Sequence, residues 1–197
     1  MQKKSHISLA RYLVEVLNDE ELKKHRFSFY LGSILPDIKP SFIYRRHEID
    51  ETYQAVKKNI LRLAEGKKAV EKEKKGRKYY MDLGQISHYL ADYFTFPHNK
   101  IYTGSLKEHC SYEKKLKYNL QHYLQSGEAT KQRLKSFDVK SAEGLCDFIE
   151  QIHKDYILMR KNMESDICYI VEMNKRVVEA ILQLLTQNHT AQSYSRL

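Results

Sequence analysis

The 197-residue sequence contains no tryptophan, only three prolines and only seven glycines. So few prolines and glycines leave few obligatory breaks, and leucine, lysine, glutamate and tyrosine recur at helical spacings, so we predict an all-α protein. The three cysteines, Cys110, Cys146 and Cys168, are too few and too scattered for a disulfide framework or a Cys-x-x-Cys zinc site. Any metal site would therefore use histidine and carboxylate ligands.

Long apolar runs are also missing. No stretch approaches the roughly 20 apolar residues that cross a bilayer, and Lys3 and Lys4 are not followed by the apolar region of a secretory signal. We therefore expect a cytoplasmic protein without a transmembrane segment. A chain of this length suits one domain, residues 1–197. Its net charge of +9 favours anionic partners such as a phosphodiester, a nucleic acid or an acidic membrane surface.

Hydrophobic periodicity predicts a multi-helix bundle. The predicted helices lie near residues 6–18, 20–33, 47–65, 78–96, 106–126, 141–163 and 166–188. The charged, glycine-punctuated residues 67–78 are predicted to be an exposed connector. We expect residues 128–188 to supply helices that close the bundle over the core, and residues 189–197 to be a frayed tail.

Five of the nine histidines form an ordered series with acidic residues: His6, Asp37, His47, His88, Asp92, His98, His109 and Glu113. Two pairs in this series are four residues apart. Such spacing places His88 and Asp92 on one helix face, where both can reach a single cation, and His109 and Glu113 have the same relation. Imidazole and carboxylate ligands favour zinc or a similar divalent ion that activates water.

Each of these residues also has an ordinary structural interpretation. His6 alone is better explained as a buried histidine that bonds a carbonyl, and His109 with Glu113 fits a surface ion pair equally well. Asp92 is different, because it lies in the most apolar predicted helix and a carboxylate there needs a partner. Taken as a set, the eight residues favour metal binding.

All three prolines lie beside members of this series: Pro36 and Pro40 flank Asp37, and Pro97 precedes His98. Proline removes a backbone donor and disfavours helical geometry in the preceding residue. We therefore predict fixed non-helical turns at residues 36–40 and 96–98, where the side chains turn towards a site.

The remaining histidines, His25, His122, His153 and His189, lie outside the series, and we expect surface or capping roles for them. Glu150 and His153 have the spacing used in di-iron helical bundles, but such bundles need that motif twice and the chain has it once. The adjacent His-Asp pair of HD-type phosphohydrolases is absent, which removes another class of helical metal hydrolase.

The order and spacing of the series resemble those of the bacterial zinc-dependent phospholipase C family and, more distantly, those of the multi-zinc single-strand nucleases. The residues that carry the resemblance are His6, the segment Gly32-Ser-Ile-Leu-Pro-Asp37, His47, the segment His88-Tyr-Leu-Ala-Asp92-Tyr-Phe-Thr-Phe-Pro97-His98, and His109 with Glu113. They span residues 1–126, roughly. The resemblance implies a single-domain all-α bundle of the phospholipase C type.

The resemblance also implies a ligand set of two or three zinc ions. It assigns one ion to Asp37, His47, His88 and Asp92. It assigns a second to His98, His109 and Glu113, and a third to Asp92, His6 and the free amino end of the chain. Asp37 would also orient or deprotonate the attacking water, which makes it the predicted catalytic residue. The family's mature chains begin with tryptophan, whereas this sequence has none and begins Met1-Gln2.

Three functions therefore remain open. The first is a zinc-dependent phosphodiesterase that releases an alcohol and a phosphomonoester, with a phospholipid as the possible substrate and peripheral contact with an anionic membrane. The second is a single-strand nuclease, and the third a non-catalytic zinc-binding helical module. Lys114, Lys115 and Lys117 fit a solvated helix surface better than a nucleic-acid patch. Tyr44, Tyr89 and Tyr93 are near predicted ligands and could cage a choline-like cation, although most tyrosines are expected to line the core.

Overall fold

The computed structural model describes residues 1–38, 47–65, 73–130, 139–159 and 162–194. Within these ranges the chain forms α-helices, two single turns of 3-10 helix and no strand, which confirms the predicted all-α class. No helix among the described residues is both long enough and apolar enough to span a bilayer.

The described helices are α1 (Lys3–Leu17), α2 (Glu20–Lys24), α3 (Arg26–Ile34), α4 (Ile49–Glu65), α5 (Glu73–Tyr93), α6 (Leu106–Gln125), α7 (Ala142–Leu158) and α8 (Met163–Tyr194). The 3-10 turns are Phe96–His98, between α5 and α6, and Glu128–Thr130 after α6. Serine side chains cap two of the helices: Ser105 forms a capping box with Glu108 at α6, and Ser141 accepts from Gly144 N at α7.

Helix α5 lies at the centre of the bundle and packs against α1, α3, α4 and α8. Its residues Leu83, Ile86 and Leu90 are fully buried, at the three- and four-residue spacing of a helix face. Residues Val177 and Ile181 of α8 belong to the same core. The central helix therefore holds its polar residues His88 and Asp92 away from bulk solvent.

Two glycines allow α3 and α5 to approach each other closely. A side chain at Gly32 would overlap the carbonyl group of Met81, and one at Gly84 would overlap the carbonyl oxygen of Phe29. No larger residue fits either position without moving backbone. This close approach brings the carbonyl of Ser33 next to the ring of His88.

Several helix bounds differ from the prediction. The predicted helix 20–33 is two helices, because the backbone of His25 (φ −102°, ψ 17°) leaves helical geometry between α2 and α3. Helix α5 begins at Glu73, so residues 73–78 of the predicted connector are helical, while residues 66–72 lie outside the described part of the chain. Helix α7 ends at Leu158, since Met159 is extended. Helix α8 continues to Tyr194, beyond the predicted end at residue 188.

The two predicted turns have different outcomes. Helix α3 ends at Ile34 and a turn follows at Pro36–Ile38, as predicted, with Asp37 N donating to Ile34 O at 3.2 Å; Pro40 lies outside the described residues. The prediction of a non-helical turn at Phe96–His98 is wrong, because these residues form one turn of 3-10 helix with Pro97 at its start. Proline fits that position because it needs no backbone donor there.

Candidate metal centre

Four of the predicted residues converge at the inner end of a cleft. His88 and Asp92 come from α5, Asp37 from the turn after α3, and His47 from just before α4. We call Asp37, His47, His88 and Asp92 the inner group. His88 and Asp92 are fully buried, His47 is nearly so, and Asp37 is 14% exposed.

The atoms of the inner group surround one small space. His47 Nδ1 lies 2.9 Å from Asp92 Oδ2 and 3.0 Å from His88 Nε2. His88 Nε2 is 3.2 Å from Asp92 Oδ2. Asp37 Oδ1 is 3.6 Å from His88 Nε2 and 3.7 Å from His47 Nδ1. Ligand atoms of a tetrahedral zinc site, each about 2.1 Å from the ion, are about 3.4 Å apart. The inner group therefore has the dimensions of such a site.

The tautomer of His88 is set by the backbone of α3. His88 Nδ1 donates to the carbonyl oxygen of Ser33 at 2.8 Å, which leaves the Nε2 lone pair directed at Asp37, His47 and Asp92. A carbonyl that orients the outer nitrogen of an imidazole is the usual support of a metal-ligating histidine. Sequence analysis did not predict this contact, although Ser33 lies inside the Gly32–Asp37 segment.

A second group lies nearer the cleft mouth. It consists of His98 from the 3-10 turn and His109 and Glu113 from α6, and we call it the outer group. Glu113 Oε1 lies 3.0 Å from His98 Nε2 and 3.1 Å from His109 Nε2. His109 is 27% exposed, whereas no member of the inner group exceeds 14%. The four-residue spacing of His109 and Glu113 thus produces the predicted shared helix face.

His6 completes a third group with Asp92 and His88. Its Nε2 lies 3.4 Å from Asp92 Oδ1, and its ring stacks on that of His88 with centroids 3.9 Å apart. His6 is buried, and neither ring nitrogen has a hydrogen-bond partner among the described residues. A carbonyl partner, the ordinary interpretation of this histidine, is therefore not what the structure shows. An unpartnered buried nitrogen is costly unless a cation or another donor meets it.

The amino group of Met1 lies at the junction of these groups. It is 2.5 Å from Asp92 Oδ1, 3.2 Å from Glu113 Oε1 and 3.0 Å from His98 Nε2. The resemblance assigned a third ion to Asp92, His6 and the amino end, and the structure brings these three together.

The electrostatics of the two buried acids differ. Burial alone would raise the pKa of Asp92, but the amino terminus and the nearby imidazoles of His98 and His88 outweigh it and hold the pKa well below its usual value. Burial raises the pKa of Asp37, which is therefore the more basic carboxylate. Burial also lowers the pKa of His6 to about 3, so its imidazole is neutral. A neutral imidazole and an ionised carboxylate are the protonation states that metal ligands need.

Both groups open on one cleft of about 990 Å³. Asp37 and His47 of the inner group line it, as do all three members of the outer group, and we call it the histidine cleft. Asp37 is the inner-group carboxylate that reaches its surface. A cavity of this size accommodates a small organic molecule.

Two expectations about other residues are wrong. His153 is buried rather than at the surface, because its Nε2 is 2.9 Å from Asn99 Oδ1. Tyr93 cannot join a choline cage, since its ring is fully buried and its hydroxyl pairs with Thr52 Oγ1 at 2.8 Å. Tyr89 packs its ring against that of His47, with centroids 5.2 Å apart. Tyr44 lies outside the described residues.

The sequence profile of one protein family matches most of the chain. The family is described as zinc dependent phospholipase C, and the match covers residues 5–163. No curated protein and no solved structure is significantly similar to the chain. The matched range contains all eight residues of the histidine and acid series. The chain belongs to the zinc-dependent phospholipase C family.

Proposed function

We propose that this protein is a zinc-dependent phosphodiester hydrolase that cleaves a phospholipid into a lipid alcohol and a phosphomonoester. The observation that carries the proposal is that all eight predicted residues gather into groups whose atoms have zinc-site spacing, and that five of them, Asp37, His47, His98, His109 and Glu113, line one cleft. We assign two or three zinc ions: one to the inner group, one to the outer group and a third to His6, Asp92 and the amino end.

Bound zinc supplies positive charge that lowers the pKa of water and stabilises negative charge on phosphoryl oxygens. The residues of the chain then do three things. The inner and outer groups hold those charges at fixed positions along the cleft. Asp37 reaches the cleft surface, where it can orient the attacking water and accept its proton. The water oxygen bonds to phosphorus, the bond from phosphorus to the alcohol oxygen breaks, and that oxygen takes up a proton as the alcohol leaves.

A second cavity supports the proposal that the alcohol released by hydrolysis is a lipid. It has a volume of about 650 Å³, a mainly apolar surface, and shares His98, Asn99 and Lys100 with the histidine cleft. Ile157 and Leu158 line it, and Leu158 is 85% exposed. Apolar side chains beside a phosphodiester site suit acyl chains better than they suit the sugars of a nucleic acid. The exposed leucine would also contact the surface of an anionic membrane.

The test compares wild-type protein with Asp37→Asn and, as a matched control, Asp147→Asn, which changes an exposed residue of α7. Zinc-loaded protein is assayed against soluble short-chain phospholipids, a nitrophenyl diester and a single-stranded oligonucleotide. We expect diester hydrolysis that falls by about 10²–10⁴-fold in Asp37→Asn, the usual contribution of a positioned general base. The control should keep full activity.

The other hypotheses predict different results. Cleavage of the oligonucleotide with no cleavage of phospholipid would identify a nuclease. Stoichiometric zinc with no turnover of any diester, and no effect of Asp37→Asn in any assay, would identify a non-catalytic module. Either result would overturn the proposal.

A further inference from the structure

A strongly basic cavity adjoins the histidine cleft on the side of α1. It has a volume of about 510 Å³, and its basic side chains are those of Lys3, Lys4, Arg11 and Lys117. Ser8 and Gln121 add neutral polar groups. No carboxylate of the described residues lines it, although the chain as a whole has 25 acidic residues. We call this space the basic cavity.

The four cations are not neutralised within the described part of the chain. None of them forms an ion pair with a carboxylate there, whereas Lys57, Arg62, Lys78 and Lys100 all do. The Lys117 ammonium lies over the ring of Tyr118, 4.4 Å from its centroid, which adds no negative charge. Four like charges around one space repel one another, so an anion that enters it relieves that repulsion.

The backbone adds to this field. Helix α1 begins at Lys3, has no acidic residue in its first turn and has no side-chain cap at Gln2. The amino end of a helix carries a partial positive charge that favours anions. The lysines at the start of α1 therefore add to the positive potential of the helix end.

The basic cavity and the histidine cleft are neighbours that share three lining residues. Lys3, Lys4 and Lys117 line both, while Arg11 lines the basic cavity without lining the cleft. A molecule whose diester lies against the inner and outer groups can therefore extend a second group towards Arg11.

We propose that the basic cavity binds a phosphate monoester carried on the head group of the substrate, so that the enzyme prefers phospholipids whose head group bears an additional phosphate. The inference rests on the proposed function, because it names the substrate class of that same site. A phosphate is the anion that suits the cavity, since a guanidinium pairs with two of its oxygens and lysines contribute point charges. A choline head group would carry a positive charge towards the same lysines and be disfavoured.

The test uses two soluble short-chain diesters, phosphatidylinositol and the same molecule with a phosphate on the inositol ring. Wild-type protein should hydrolyse the phosphorylated diester with at least a tenfold higher kcat/KM. In Arg11→Gln the ratio of the two kcat/KM values should fall by about tenfold, because the variant loses a hydrogen bond between charged groups. Lys58→Gln, an exposed residue of α4 that lines neither space, is the matched control and should keep the preference.

Binding measurements separate this inference from the proposed function. If neither these diesters nor the phospholipids and the nitrophenyl diester of the first test are hydrolysed, the proposed function fails, and calorimetry of the zinc-loaded protein tests the basic cavity alone. Inositol 1,4-bisphosphate should then bind more tightly than inositol 1-phosphate, with the difference lost in Arg11→Gln. Equal kcat/KM for the two diesters would overturn the proposal. If inorganic phosphate binds wild type more tightly than inositol 1,4-bisphosphate does, and that binding is lost in Arg11→Gln, the cavity holds free phosphate instead.

Discussion

Two aspartates of this protein, Asp92 and Asp166, are equally buried, with no exposed surface, and are surrounded in opposite ways. Asp166, in the first turn of α8, accepts hydrogen bonds from Phe96 N at 2.7 Å and from the hydroxyls of Tyr112 at 2.7 Å and Tyr156 at 2.8 Å. Asp92 faces imidazole nitrogens and the amino terminus.

The difference shows what each site requires. Neutral N–H and O–H donors satisfy the charge of Asp166 within the protein, so that site is complete without a ligand. Around Asp92, burial keeps the imidazole of His6 neutral, and the Ser33 carbonyl leaves the Nε2 lone pair of His88 facing the carboxylate. Lone pairs beside a carboxylate need a cation among them. The same fold thus satisfies one buried aspartate within the protein, whereas the other has the surroundings of a candidate metal ligand.

The largest effect is expected for Asp92→Asn. This change removes the carboxylate shared by the inner group and His6 while keeping the size of the side chain. Removing an outer partner of a metal ligand typically costs about 10–100-fold in metal affinity or activity, and removing a ligand should cost more. We expect at least one zinc ion per chain to be lost and hydrolysis to fall by more than about 100-fold.

The matched control is Asp82→Asn, on the same helix. Asp82 is also buried, but its partners are Arg62, Lys78 and Gln85, none of which belongs to the histidine and acid series. Zinc content by elemental analysis should be unchanged in this variant. Equal zinc content in wild type and Asp92→Asn would mean that Asp92, like Asp166, is not needed for metal binding.

Chelation should have the next largest effect, this time on stability. A ligand present at 1,000 times its Kd adds about 4 kcal/mol to the free energy of unfolding. For a chain of this size each kcal/mol corresponds to about 2–4 °C. Removing zinc from wild type should therefore lower the Tm by about 10 °C, measured by calorimetry with and without chelator.

The aspartate variants sharpen this result. The decrease in Tm on chelation should shrink by at least half in Asp92→Asn, which has lost much of its metal, and persist fully in Asp166→Asn. A similar decrease in both variants would mean that zinc binding does not distinguish the two aspartates.

Local spacing was enough to predict which residues of the histidine and acid series share a helix face. His88 and Asp92, like His109 and Glu113, share a face because a helix repeats every 3.6 residues, whatever the rest of the fold does. The central helix was predicted from its run of apolar residues, and the turn at Asp37 from Pro36. Helix spacing, an apolar run and a proline turn each depend on residues that are close in sequence. For the same reason, the family resemblance lies in short segments.

The supporting contacts could not be predicted in this way. Asp166 lies in the first turn of a helix, where an acidic residue is already favoured by the helix dipole, so nothing in its surroundings indicates burial. Its partners Phe96 and Tyr112 are 70 and 54 residues away. His153 resembled a surface residue for the same reason, since its partner Asn99 is 54 residues away. Only packing brings these residues together.

A smaller effect is expected for Asp166→Asn. An asparagine offers one acceptor oxygen, so at least one of the Phe96, Tyr112 and Tyr156 donors loses its partner. Hydrogen bonds to a charged group contribute about 1.5–3 kcal/mol, and we expect the free energy of unfolding to fall by about 2 kcal/mol. Zinc content at saturating zinc should not change. Denaturant unfolding measures the first quantity, with exposed Asp155→Asn of α7 as control. If Asp166→Asn lost zinc without losing stability, Asp166 would contribute to the metal site and not to the stability of the fold.

The smallest effect is expected for Tyr112→Phe, which deletes a single donor to Asp166 and keeps the ring. The remaining donors from Phe96 N and Tyr156 still satisfy part of the buried charge, so the loss is one hydrogen bond, about 1 kcal/mol. Tyr118→Phe, one and a half turns further along α6 and 57% exposed, should cost nothing measurable. Because the phenol of Tyr112 donates to Asp166 and not to the ligands, hydrolysis should stay at the wild-type rate. A fall in the rate of hydrolysis at a temperature where the variant is still folded would contradict this expectation. It would show that Asp166 supports the position of His98 through Phe96, and that the two buried aspartates are coupled.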